Sequence, residues 1–262
     1  MDLKLTGKPV IVCASSAGLG KATAMEFARE GAQVMICGRR EGELQRAAAD
    51  IKATVGEAPR YTVADVTRPS DIARLVGAAV SAFGGVFALV NNSGGPAAGT
   101  FDQFDDRAWQ SAFELSLLSY VRTIRAALPH LRRGGGGRII NFTSTSVKNP
   151  IENLILSNTF RTGVLGLTKT LASELGPDGI LINVIGPGRV QTERIQQLDT
   201  MRASKAGISI EQVRTETCKT IPLGRYGTPE EYAKIAVFLG SPANTYITGQ
   251  TVLVDGGMVS AY

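Results

Sequence analysis

Short runs of β-branched and aliphatic residues alternate with longer stretches whose apolar positions recur every three to four residues. Pro9–Val12, Gln33–Cys37, Arg60–Ala64, Phe87–Asn91, Arg138–Thr143, Ile180–Ile185 and Thr251–Val254 read as seven strands. Runs as apolar as Val10-Ile11-Val12 carry no polar alternation and belong to strands buried on both faces. The intervening stretches read as helices. The first follows Gly20, with Ala22, Met25 and Ala28 on one side; others run over 41–55 and 70–83. A long helix over 105–131 would carry Phe113, Leu117, Val121, Ile124 and Leu128 on one face. The next would carry Val164, Leu167, Leu171 and Leu175 and stop near Gly176-Pro177; the last spans 229–240. Gly134–Gly137 cannot hold a helix and reads as an exposed loop, and 189–223 is mixed and polar. Repeated strand–helix units dictate an α/β fold: a doubly wound, seven-stranded parallel sheet with helices on both faces. No linker, repeat or low-complexity tract divides the chain, so residues 1–262 read as a single domain.

Composition narrows the function. The 262 residues carry a formal charge of +5 with acids and bases interleaved, not in the basic stripe of a nucleic-acid surface. Cys13, Cys37 and Cys218 form no CxxC, and His130 is the sole histidine, so neither a disulfide framework nor a metal site is expected. Cys13 and Cys37 fall in strands and read as small buried hydrophobes. The absence of a signal-peptide pattern or spanning apolar run leads to the expectation of a cytoplasmic protein that does not enter a membrane.

In such a sheet ligands sit at the carboxyl ends of the strands, where the strand order reverses. After the first strand comes Ala14-Ser15-Ser16-Ala17-Gly18-Leu19-Gly20, whose glycines allow close backbone approach and helix packing. The following helix N-terminus offers unpaired N–H groups suited to a diphosphate. Eighteen residues beyond Gly20 stand Gly38, Arg39 and Arg40. An acidic residue there would hold a ribose diol; two arginines favour the extra phosphate of NADP(H). Asp65-Val66 and Asn91-Asn92-Ser93-Gly94 end the third and fourth strands.

This series resembles the short-chain dehydrogenase/reductase family over essentially the whole chain. The tail, PLGRYGTPEE with TGQTVLVDGG, resembles its 3-oxoacyl-carrier-protein reductase branch. The resemblance implies a Rossmann fold, with Asp65 and Val66 bordering the adenine and NNSG matching the family's NNAG. It also implies that Pro187-Gly188-Arg189-Val190-Gln191-Thr192 holds the nicotinamide carboxamide. Cofactor contacts are therefore expected at Ala14, Ser15, Ser16, Gly18, Leu19, Gly20, Arg39, Arg40, Asp65, Val66, Asn91, Ser93, Gly94, Arg161, Pro187, Gly188, Val190 and Thr192. The family's opening Thr-Gly is Cys13-Ala14 here, an exchange that suits a negative φ at Ala14.

The family reaction uses an Asn, a Ser, a Tyr and a Lys. The motif GRIINFTS places the Ser at Ser144; thirteen residues on, the Tyr position holds Ser157, and four further the Lys position holds Arg161. The Asn position holds Ser116. A hydroxyl is a far poorer proton donor than a phenol, and losing a positioned acid costs about 10²–10⁴ in rate. Arg161 keeps the charge but not the shape of lysine. Tyr120, one turn after Ser116, reads either as a phenol facing the cleft or as a core or interface tyrosine; Asn153 and Asn158 read as donors at the site or as capping residues. Three functions fit: an NADP(H)-dependent oxidoreductase on a small carbonyl or acyl-thioester substrate, a nucleotide-binding sensor or inactive subunit, and a lyase or isomerase in the same cleft. Residues 189–225, the expected lid, carry seven Lys/Arg against four Asp/Glu, which hints at an anionic substrate. The resemblance also implies a homotetramer assembled through helices 105–131 and 157–175 and the tail Thr251–Tyr262.

Overall fold

The computed structural model describes residues 1–261; Tyr262, the end of the expected interface tail, lies outside them. Seven strands, β1 (Pro9–Val12), β2 (Gln33–Gly38), β3 (Arg60–Val63), β4 (Ala88–Asn91), β5 (Gly137–Phe142), β6 (Ile180–Pro187) and β7 (Thr251–Val254), form one sheet. Their order is β3-β2-β1-β4-β5-β6-β7, all parallel, so the order reverses between β1 and β4. Val10 pairs with Val34 on one side and Ala88 on the other, so the aliphatic run is enclosed as its composition demands.

Two apolar layers cover the sheet. On one face Phe27 of α1 (Gly18–Arg29) and Leu44 and Ile51 of α2 (Glu41–Val55) pack with Tyr232 and Val237 of α9 (Pro229–Leu239). On the other, Leu75 of α3 (Pro69–Phe83), Ile124 and Leu131 of α5 (Ser119–Arg133) and Leu175 of α6 (Ile155–Leu175) surround Ile11, Leu89 and Ile139. Cys13 and Cys37 lie in this layer as unbridged thiols. They share a hydrogen bond; that bond first, then burial, raises the Cys13 thiol well above its ordinary range.

Four sequence expectations need correction. In α1 the fully buried positions are Gly20, Thr23, Ala24, Glu26 and Phe27, while Met25 and Ala28 of the expected Ala22, Met25 and Ala28 are only partly buried against the same core. The long helix is not continuous: α4 (Asp106–Phe113) passes through a π-helical turn, Glu114–Leu118, before α5. The buried positions are Ala112, Ser116, Ser119, Tyr120, Thr123, Ala127 and Leu131 together with Ile124 of the expected stripe, whose Leu117 and Leu128 are partly buried against the core. Gly136 and Gly137 are also buried, and Gly137 opens β5, where a Cβ would lie 2.5 Å from the Phe87 carbonyl oxygen. Finally, the polar 189–223 stretch contains α7 (Glu193–Ala206) and α8 (Ile210–Lys219). Their signals are caps rather than an apolar face: Thr192 caps α7, and Ser209 with Gln212 forms a capping box on α8.

Candidate active site

The loop residues singled out for nucleotide or substrate sit at the carboxyl edge of the sheet, because they follow on β1 to β6, whereas Ser116, Ser157 and Arg161 stand on helical elements. The glycine turn comes first. Ser15 is wholly buried; its hydroxyl donates to the Val12 carbonyl and accepts from the Cys37 N–H, stapling β1 to β2. Ser15 therefore shapes the turn rather than presenting its side chain. A Cβ on Gly20 would stand 2.5 Å from the Ala14 carbonyl oxygen, so only glycine fits there. The N-cap of α1, Ala17, offers no side-chain hydrogen bond, which leaves the first-turn N–H groups open to an anion. Ala14 has φ +45°, in the left-handed region. The expected negative φ is overturned: the turn keeps the glycine geometry although a methyl group now occupies it.

The other loops close around this turn. The Asn92 side chain donates to the Ala14 carbonyl at 3.0 Å. The Thr192 methyl lies 3.7 Å from where a Gly18 Cβ would be, so the loop after β6 folds back over the glycine turn. Gly188 is confined by Asp255, which would stand 2.6 Å from a Cβ at that position, and its N–H donates to the Val254 carbonyl. Val190 bridges to Gly227. At the end of β2, Arg40 pairs with Glu43, whereas Arg39 is exposed and makes no ion pair among the described residues. Asp65 accepts from the Thr67 N–H and hydroxyl beside the buried Val66, which fixes the loop after β3. Asn91 points inward: its amide donates to Asn141 and its carbonyl oxygen accepts from Thr123, while Asn141 donates to Thr168. Only the Asn91 backbone remains for a ligand.

The expected catalytic positions lie on the turn after β5, the π-helical turn and the start of α6. Ser144 caps the short turn after β5, its Oγ accepting from the Ser146 N–H at 3.1 Å; its own O–H is thus left to donate. Ser157, in the first turn of α6, is 7% exposed. Arg161, one turn later and equally buried, donates to the Phe142 carbonyl at 3.1 Å. Tyr120 is 1% exposed and donates to the same carbonyl at 2.7 Å. Burial raises its pKa, against the opposing influence of the Arg161 charge and the Ser93 hydroxyl. The buried reading of Tyr120 holds, and its proton is committed. Ser116 lies in the π-helical turn with its hydroxyl buried and unpaired, as are those of Thr143 and Ser146. Asn158 hydrogen-bonds both backbone groups of Ile151, and Asn153 adopts φ +59° in the loop before α6; both shape that loop.

Sequence reasoning passes over Arg194. It springs from the first turn of α7, crosses Gly95 and donates to the Pro96 carbonyl at 3.0 Å. Desolvation first, and the Arg161 charge second, lower its pKa. A cavity of about 540 Å³ opens between α7 and α8, lined by Thr192, Gln196, Arg214, Cys218 and Tyr226 among others and by none of Ser144, Ser157 or Arg161. No cluster of three metal-ligating side chains occurs among the described residues.

Known proteins match this chain along nearly its entire length. A family model described as Enoyl-(Acyl carrier protein) reductase matches residues 13–259. The chain belongs to the short-chain dehydrogenase/reductase family. The short-chain reductase protein NovJ of Streptomyces niveus is 35% identical over 94% of this chain and 92% of its own. The L-sorbose reductase of Gluconobacter frateurii, solved with NADPH and L-sorbose, is 32% identical over the full length of both chains, with a TM-score of 0.94. An NADPH-bound short-chain oxidoreductase from Pseudomonas aeruginosa PAO1, described as containing an atypical catalytic center, is 28% identical over 98% of this chain and 99% of its own, with a TM-score of 0.89.

Proposed function

We propose that this short-chain dehydrogenase/reductase is an NADP(H)-dependent oxidoreductase that interconverts a carbonyl and an alcohol with Ser157 and Arg161 in place of the family's Tyr and Lys. The observation that carries the reading is the complete cofactor cradle. The glycine turn approaches closely, α1 begins uncapped, Thr192 covers Gly18, and Arg39 stands without a carboxylate. These features fit a dinucleotide with a 2′-phosphate. Its diphosphate would rest on Ser16 to Gly20, its adenine between Arg39 and Asp65-Val66, and its nicotinamide beside Ser93-Gly94 and Pro187 to Thr192. When bound, it supplies the hydride. Ser144 orients the substrate oxygen with the O–H left over from its bond to Ser146, and Ser157 offers a second hydroxyl. Tyr120 does not supply the proton, since its hydroxyl is held by Phe142; the proton comes from water or the serine hydroxyls. Positioning for hydride transfer survives the exchange, while acid catalysis is weakened.

On this reading residues 189–225 form the lid of one domain spanning 1–262, the protein works in the cytoplasm, and a 3-oxoacyl thioester is one candidate substrate. The committed Tyr120 hydroxyl favours one further reading, an NADP(H)-binding subunit without turnover. NADPH oxidation with a panel of carbonyl compounds, followed by absorbance, separates the two. Weak or absent wild-type activity that rises by up to ~10²–10⁴ in the Ser157→Tyr, Arg161→Lys double variant identifies a weakened reductase site. Brisk wild-type turnover lost in the double variant makes Ser157 and Arg161 parts of a different mechanism.

A further inference from the structure

Arg161 is buried, yet it donates to the neutral Phe142 carbonyl, and no carboxylate pairs with it among the described residues. A guanidinium has five N–H donors and tolerates burial poorly without a counter-ion. On the lid side Arg194, which is exposed, has the Pro96 carbonyl as its partner and pairs with no carboxylate among the described residues. The Arg161 charge reaches Arg194 and, after desolvation, helps to lower its pKa. Arg161 and the Tyr120 hydroxyl share the Phe142 carbonyl, and Ser93 faces the same hydroxyl. Two residues along from Ser93, Arg194 lies across Gly95, with a guanidinium nitrogen 3.2 Å from where a Cβ would be. Gly94 between them faces open space. Two like charges thus flank the Ser93–Pro96 segment, and the hydroxyls of Ser116, Thr143 and Ser146 on neighbouring elements are buried without partners. The repulsion between the two arginines is relieved by an anion placed between them.

We propose that Arg161 and Arg194 together hold a carboxylate of the substrate, so that the carbonyl compound reduced at Ser144 is an oxo acid. This deepens the oxidoreductase reading and rests on it for the reaction, though not for the anion site. Guanidinium forks suit a carboxylate, which accepts two parallel N–H bonds. The other anion at hand is the cofactor's own diphosphate. That group already has the α1 N-terminus and the glycine turn, whereas Arg194 contacts Gly95 and Pro96, beyond the NNSG stretch.

The test uses a redox-inert pair, butyrate and its neutral isostere butyramide, titrated into the NADPH-loaded protein and read by nicotinamide fluorescence. The expected result is binding of butyrate about tenfold tighter than butyramide, or better, as for one charge-assisted contact. Arg194→Gln should cost butyrate roughly 10- to 100-fold, the range for a lost charge-assisted hydrogen bond, with NADPH affinity unchanged; Arg194→Lys should recover part of it. Equal binding of the two probes overturns the proposal. So does an Arg194→Gln protein that loses NADPH affinity as steeply as butyrate affinity, since that places Arg194 on the cofactor's phosphates. Turnover of acetoacetate against ethyl acetoacetate separates the two layers of inference. Arg194-dependent butyrate binding with no turnover of either compound sustains the anion site and removes the oxidoreductase reading. Turnover of the ester at the same kcat/KM as the acid, with butyrate unbound, removes the anion site and sustains the oxidoreductase.

Discussion

Ala14 shows most directly how one residue departs from the geometry around it. At φ +45° its methyl group strains a backbone that the Ser15 staple and the Asn92 hydrogen bond hold in place. Relieving a left-handed non-glycine residue is worth about 1 kcal/mol. Ala14→Gly is therefore expected to raise Tm by about 2–4 °C in a thermal melt, whereas a position free to relax would lose stability through the added flexibility of the unfolded chain. Nothing in the sequence near Ala14 announces this. A dihedral set by contacts from residues 37 and 92 is not a local property, so the sequence supports only the guess of an ordinary turn. Ser144, Ser157 and Arg161 are singled out through the family resemblance, and the structure places them at one strand end and on successive turns of one helix. Arg194 is not, because its relation to Arg161 is made by the fold alone. On the proposed reading, cofactor choice depends on Arg39 and Arg40 at the end of β2, of which Arg39 makes no ion pair among the described residues. NADPH should stabilise the protein more than NADH; at a hundredfold excess over its Kd the gain over the unliganded protein is about 2.7 kcal/mol, and Arg39→Ala should remove most of the difference between the two cofactors in a thermal-shift comparison.

Among the elements, the stretch between β6 and α9 is held by two electrostatic anchors of different depth. Asp199 of α7 is buried and accepts from the Tyr226 hydroxyl at 3.1 Å, with Arg189 and Arg214 within 3.8 Å. Arg225 forks onto the exposed Glu231, whose carboxyl also accepts from the Thr228 N–H in a capping box at the start of α9. The Arg225 hydrogen bonds first, and that N–H next, hold Glu231 down at about 2 from an ordinary 4.5. The folded pKa is depressed, so this contribution is present above pH 4.5 and fades as pH falls toward 2. Glu231→Gln should flatten the stability–pH curve in that window and leave its slope unchanged near neutrality, as followed by urea unfolding. The strands and α2 are readable within a residue or so because buried aliphatic runs and glycine stops mark them. The helices α7 and α8 are not, since α7 buries only Asp199 and Ala203 and shows little apolar stripe. The π-helical turn escapes for another reason: one inserted residue does not interrupt the apolar composition.

For the whole molecule, assembly is the open expectation. Phe101 in the short turn before α4, Trp109 and Phe113 of α4 and Phe160 of α6 pack ring against ring with centroids 5.7 to 6.2 Å apart, and Phe101 is exposed. If the family arrangement holds, these rings meet a second copy and light scattering returns a tetramer; Trp109→Glu should then shift it to smaller species while circular dichroism stays unchanged. A stable wild-type monomer at micromolar concentration would remove the expectation. The polar chain Thr123–Asn91–Asn141–Thr168 has a reach beyond its hydrogen bonds. Asn91 and Asn141 stand opposite one another in the pairing of β4 with β5, in a core that is otherwise aliphatic. Sliding one strand by a single residue, about 3.3 Å, would turn an amide to the far face and leave both unpaired in apolar surroundings. The two asparagines therefore act as an alignment pin. Ser93 leaves one strand and Ser144 the other, so the pin fixes the offset between the proposed cofactor wall and the proposed substrate hydroxyl before any ligand arrives, and lengthening or shortening of the chain nearby is taken up in the loops rather than in the site.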